Sequence, residues 1–190
     1  MAPKLSEEEI DDLIFLARVG ENEDLSESLL ALAEREKVSP AEILIEAKNE
    51  GKSTALHMAA GNGHLETVRM LLRCFDGRPQ GEKQAFVDEA NEHGNTGLHW
   101  AALGGHLDAV KLLMEHAASP ALANESNYVP LDLANLNDKR EVAEYFLASA
   151  GMLENENGEA GGLASAAESI ELTGDDEGET GSKAAQSNAE

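Results

Sequence analysis

The chain has 190 residues, room for one domain and a tail, and carries a formal net charge of −23. A field of that sign repels nucleic acid and anionic lipid head groups; it attracts basic proteins, unless it serves solubility alone. The single cysteine, Cys74, excludes an intramolecular disulfide and a cysteine zinc cluster, and no apolar run approaches a membrane span.

The charge is uneven. Residues 1–50 carry 14 acids and 5 bases, residues 51–150 carry 13 and 8, and residues 151–190 carry 10 and 1. The opening "MAPKLSEEEIDD" turns acidic at once, unlike a secretory or transit peptide, so a soluble protein of the cytoplasm or nucleus is expected. Ser6 with Glu9 reads as a capping box. It opens a helix that ends in a turn at Gly20, and a second helix follows, capped by Asp24 with Glu27. "SPAEILIEA" (39–47) adds a short helical turn, with Ser39 as cap and Pro40 at the first helical position.

"NEGKST" (49–54) ends as a nucleotide-binding P-loop ends. That motif needs a glycine five residues before the Gly-Lys pair, and the position holds Glu46, whose charge repels phosphate. Self-comparison accounts for the stretch instead. "STALHMAAGNGHLETVRMLL" (53–72) lies over "NTGLHWAALGGHLDAVKLLM" (95–114), and more weakly over "YVPLDLANLNDKREVAEYFL" (128–147). Leu98 to Leu131 is 33 residues and Leu56 to Leu98 is 42; the extra segment, "DGRPQGEKQ" (76–84), reads as a polar loop.

Within each unit, Thr54 and Thr96 stand where a helix begins, their side-chain oxygens placed to accept from an orphan N–H. Ala59, Ala60, Ala101 and Ala102 let neighbouring helices approach, and Gly63 and Gly105 supply positive φ after the first helix. Leu65, Val68, Leu71 and Leu72, with Leu107, Val110, Leu113 and Met114, form the apolar stripe of a second helix. "VDEANEHGNT" (87–96) and "PALANESNYV" (120–129) read as hairpin fingers turning near Gly94 and Asn127, and Gly51 takes the matching place in "LIEAKNEGKST" (44–54).

A period of 33 with Thr-x-Leu-His-x-Ala-Ala and Gly-His resembles the ankyrin-repeat family over roughly residues 44–148. The expected fold is an all-α ankyrin-repeat solenoid of about four helix pairs with hairpin fingers, over residues 1–150. Residues 1–43 are a diverged N-terminal cap repeat, 44–75 and 85–119 are repeats, and 120–150, where Asp132 replaces the histidine, are a C-terminal cap repeat. Residues 151–190, rich in Gly and acids with no aromatic, are expected to be a disordered acidic tail, with "LASAAESIEL" (163–172) as a transient helix or a partner-folded segment.

No catalytic, cofactor-binding or metal-ligating residue is assigned. His57, His99, His64 and His106 recur with the repeat and so read as structural; no His-x-x-x-His or Cys-x-x-Cys pair occurs. Cys74, at the end of an apolar helix, reads as a buried or half-buried thiol.

What remains is surface. Alignment picks one large apolar side chain per unit, Phe15, Met58, Trp100 and Leu133, with Leu103 and Leu136 one turn further. Met58 and Leu133 fit core rim between repeats as well as they fit anchors; Trp100, the sole tryptophan, is expected to be an exposed anchor. Asp11 and Asp12, Glu50, Glu89 and Glu92, and Glu125 frame that row. An apolar stripe between acids suits an amphipathic basic helix, although a merely solvated rim has the same composition. The overall plan, the long first spacing and "KQAFVDEANEHGNTGLHWAALGGHLDAVKLL" resemble the fungal ankyrin-repeat chaperones dedicated to small-subunit ribosomal protein S three. That resemblance implies a non-enzymatic, monomeric partner of a newly made basic ribosomal protein. It would hold the client's basic N-terminal segment, with no direct contact to nucleic acid or membrane, in cytoplasm and nucleus. The other reading is an ankyrin adaptor or inhibitor of an enzyme or transcription factor.

Overall fold

A computed structural model of the chain describes residues 2–156. Among them there is no strand, and ten helices follow in order. The first pair is α1 (Glu7–Val19) and α2 (Asn22–Glu36); a short α3 (Pro40–Glu46) follows. Then come α4 (Ala55–Gly61) with α5 (Leu65–Arg73), a second short helix α6 (Gln80–Val87), and α7 (Gly97–Gly104) with α8 (Leu107–Glu115). The last pair is α9 (Pro130–Leu136) and α10 (Arg140–Glu156). The expected tail falls, from residue 157 onward, outside the described residues. Before that point α10 continues past Gly151, because adding a residue to a formed helix costs far less than nucleating one.

The first helices of the pairs stack on one another: α1 on α4, α4 on α7, α7 on α9. The second helices form the outer row, α2 against α5 and α5 against α8. The stacking is close because Ala59, Ala60, Ala101, Ala102 and Ala134 are fully buried between the inner helices. The apolar stripe then meets a single core in which Leu13, Leu25, Ile43, Leu56, Leu71, Leu98 and Leu113 are almost wholly removed from water. At about 2 kcal/mol for each fully buried leucine, this core is the main favourable contribution.

Local signals hold where they are self-contained. Ser6 accepts from the Glu9 N–H while Glu9 accepts from the Ser6 N–H, and Ser39 with Glu42 builds a second such box. Three details differ from expectation. First, α2 starts at Asn22, with Asp24 inside its first turn rather than capping it, because Asn22 is fixed by the buried Thr67 hydroxyl of α5 at 2.6 Å. Second, the Thr54 and Thr96 hydroxyls do not accept from an orphan N–H. They face the Nδ1 of His57 and His99 at 2.9 Å, and those same nitrogens accept the Thr54 and Thr96 N–H groups at 3.1 Å.

Third, the segment read as a loop over 76–84 carries α6. Its end is anchored by Phe86, whose ring stacks on Phe75 with centroids 4.5 Å apart, and by the buried Val87. Arg78 ties its start to α3: it donates to Ser39 Oγ at 2.8 Å and pairs with Glu82 at 2.7 Å. The insertion is therefore packed structure that places α6 ahead of the second finger much as α3 stands ahead of the first.

Candidate protein-binding face

The three fingers share one construction, set by asparagine. Asn49, Asn91 and Asn124 each donate their N–H to the carbonyl four residues on: Ser53 at 3.1 Å, Asn95 at 2.9 Å and Tyr128 at 2.9 Å. Each Asn side-chain oxygen accepts the N–H of that same residue, at 2.9, 3.0 and 2.9 Å. The residue three after the Asn takes positive φ: Lys52 at 57°, Gly94 at 74° and Asn127 at 62°. The expected place of Gly51 thus shifts by one. Gly51 aligns with His93 and Ser126, and its lack of a side chain leaves room for the Glu92 carboxylate, 3.2 Å from where a Cβ would sit.

Neighbouring fingers are joined through their backbones. The Glu92 N–H donates to the Gly51 carbonyl at 2.9 Å, and the Glu125 N–H donates to the His93 carbonyl at 3.0 Å. Every finger opens Asn-Glu, so this joint brings Glu50, Glu92 and Glu125 to the same position on three successive fingers, all exposed. Among the described residues, none of the three pairs with a lysine or arginine; Glu92 meets only His93, at 3.4 Å. Glu89 is different. It is half-buried and paired with Lys48 Nζ at 2.7 Å, so it does not stand in the free acidic row.

On α1, Asp11 and Asp12 are exposed, as is Phe15 at 58%. Between α1 and the first finger lies a groove of about 470 Å³, lined by Glu7, Ile10, Asp11 and residues Lys48 to Gly51. It unites Asp11 with Glu50, and it adds Glu7 and Ile10, which sequence reasoning missed. A signal for them existed: the cap Ser6 lies fourteen residues before Gly20, whereas Thr54 lies nine before Gly63, so α1 begins five residues early.

The apolar row divides. Phe15, Leu103 and Leu136 are exposed, while Met58, Trp100 and Leu133 are half-buried. Trp100 is not the exposed anchor expected of it. Its Cε3 would lie 2.9 Å from a Cβ on Gly61, so the indole packs back onto the preceding inner helix in the space the glycine leaves. Phe15 holds the same place on α1, which among the described residues stacks on α4 alone of the inner helices, and its side chain is exposed.

The histidines lace the stack. His57 Nε2 reaches forward to the Asn95 carbonyl at 2.8 Å, and His99 Nε2 to the Tyr128 carbonyl at 3.1 Å. His64 and His106 reach backward, to the Arg18 carbonyl at 2.9 Å and the Gly61 carbonyl at 3.0 Å. Burial pushes the imidazoles of His57 and His99 below the usual range, against the opposing pull of those backbone carbonyls. In the last unit Asp132 accepts the Val129 N–H at 3.0 Å, which is the capping half of the histidine's work. Cys74 is half-buried, with its thiol on the Met70 carbonyl and its pKa raised by burial. Among the described residues, no cluster of His, Cys, Asp or Glu is placed to hold a metal ion, and no helix is long and apolar enough to cross a membrane.

Two ankyrin-repeat profiles match the chain, one of three copies over residues 82–157 and one single repeat over residues 52–77. The chain belongs to the ankyrin-repeat family. It is 40% identical over 145 residues to the ankyrin repeat-containing protein YAR1 of Saccharomyces cerevisiae, covering 75% of this chain and 70% of that protein. Its fold matches a chain in the crystal structure of the yeast ribosomal protein Rps3 in complex with its chaperone Yar1. That match has a TM-score of 0.69 at 41% identity and covers 77% of this chain and 95% of the other.

Proposed function

We propose that the protein is a non-enzymatic chaperone dedicated to a small-subunit ribosomal protein of the Rps3 kind. One observation carries this reading: 41% identity over 95% of a chain in the Rps3–Yar1 complex. The chain's own chemistry supports it. Asp11, Asp12, Glu50, Glu92 and Glu125 set a negative field along the fingers and α1, and a free ribosomal protein is strongly basic. Phe15 and Leu103 provide exposed apolar area for the hydrophobic side of an amphipathic basic segment of the client. Met58, Trp100 and Leu133, half-buried at the matching position of α4, α7 and α9, add apolar surface along the inner helices. Binding masks the client's charge and apolar surface, with no nucleotide, cofactor or metal; the bound pair forms in the cytoplasm and travels to the nucleus, where ribosomal RNA competes for the same basic surface.

The test is direct binding of purified Rps3, followed by calorimetry from low to physiological salt. Tight binding that weakens steeply as salt rises is expected. Absence of binding at low salt would refute the reading, and binding indifferent to salt would remove the charge-masking mechanism.

A further inference from the structure

We infer that the groove between α1 and the first finger is a subsite for one extended, basic segment of a protein partner, gripped by the Glu50 N–H together with the carboxylates of Glu7, Asp11 and Glu50. This subsite rests on the client-binding reading and deepens it.

The finger ladder points to it. Each later finger donates one backbone bond toward the finger before it, from Glu92 to the Gly51 carbonyl and from Glu125 to the His93 carbonyl. Glu50 stands at the same position of the first finger, and its N–H has no protein partner among the described residues. By the repeat it points away from the second finger, toward α1. Among the described residues no finger stands there. Ser6 holds the position, fourteen residues before Gly20, that Asn49 holds before Gly63, and at Ser6 the chain enters α1 instead of a hairpin. The groove of about 470 Å³ occupies the space where the missing finger would complete the ladder.

Its chemistry selects the occupant. The exposed Glu50 N–H is free to take an acceptor, and a backbone carbonyl is the acceptor that the other two joints use. Glu7, Asp11 and Glu50 on the walls favour a lysine or arginine beside that carbonyl, and the half-buried Ile10 offers apolar contact to its stem. Lys48, the cation in the lining, is held by Glu89 at 2.7 Å and leaves those walls negative. Three carboxylates turn away a phosphate, and among the described residues none groups as a metal site. A strand-like segment that supplies both a carbonyl and a cation fits, in the manner of strand addition to an open edge.

Proline at position 50 separates the backbone bond from the charge. Glu50 is the second residue of a turn closed by the Lys52 N–H on the Asn49 carbonyl at 2.8 Å, a place where proline is favoured. Affinity for purified Rps3 is compared for the wild type, Glu50→Gln and Glu50→Pro, and amide exchange at Glu50 is followed by NMR in the free and bound wild type. Expected are a modest loss for Glu50→Gln, about fivefold more for Glu50→Pro, and slowed exchange at Glu50 on binding. If Rps3 binds while Glu50 exchanges as freely as before and the two variants bind alike, the subsite is wrong and the chaperone reading stands. Should Glu50→Pro misfold, as its melting curve would reveal, wild-type exchange decides. If Rps3 does not bind at all, the chaperone reading falls. The subsite is then judged by titrating a Lys-Val-Lys-Val-Lys-Val peptide: a saturable shift of the Glu50 amide supports it, and no shift at millimolar peptide overturns it.

Discussion

The Nε2 of His57 lies 2.8 Å from the carbonyl oxygen of Asn95, 38 residues further along the chain. Its other nitrogen faces the Thr54 N–H, a donor, so the proton resides on Nε2 and one neutral ring caps its own helix while holding the next finger. Removing that ring leaves the buried Thr54 N–H without its acceptor and takes from the Asn95 carbonyl its bond to the preceding repeat, leaving only the Asn91 N–H within the finger. His57→Ala or His99→Ala should destabilise the protein by about 2–4 kcal/mol, read as a lower urea midpoint. A change within error would mean the lacing contributes nothing net.

The same two rings make stability depend on pH. Burial lowers the folded-state pKa of His57 and His99 below the unfolded value near 6.5. The unfolded chain therefore binds protons first as pH falls. Stability is complete above about pH 6.5 and declines as pH drops from there toward the folded pKa. Melting temperature should fall between pH 7.5 and 5.5, and less steeply in His57→Gln. An equal slope in that variant would place the proton uptake elsewhere.

Glycine positions separate backbone conformation from crowding. Gly63 has φ 74°, and a Cβ there would lie 2.5 Å from His106 Nδ1; Gly77 has φ 79° with nothing within 4 Å. Gly77→Ala should cost about 1 kcal/mol from conformation alone, and Gly63→Ala more, because it also displaces His106 from its bond to Gly61. Equal costs in thermal unfolding would show that the ring moves freely.

Trp100 and Phe15 align in the repeat but differ in surroundings. Trp100→Ala opens space beside Gly61 and should lower stability by about 2–3 kcal/mol. Phe15→Ala should leave the melting temperature nearly unchanged and weaken Rps3 binding by about 1–2 kcal/mol. Reversed effects in paired melting and binding measurements would exchange their assignments.

Replacing Glu50, Glu92 and Glu125 together by glutamine should slow association with Rps3 and flatten its salt dependence, with little effect on the fold because all three are exposed. Stopped-flow rates across a salt series measure this. An unchanged slope would retire the acidic row as a steering element.

By itself, the sequence determined the repeat register, the capped helix starts at Ser6 and Ser39, the small residues between inner helices, and the acids on successive fingertips. Those features depend on residue types at fixed local spacing, which periodicity exposes. Only the tertiary structure decided that Asn22 begins α2, that Phe86 against Phe75 turns an apparent loop into α6, and that Lys48 neutralises Glu89. It also decided that Trp100 leans into the notch at Gly61 while Phe15 stays open, and that Glu50 faces a groove with Glu7. Each of these is set by contact between segments distant in the chain, and no local pattern encodes how much room one repeat leaves for the next.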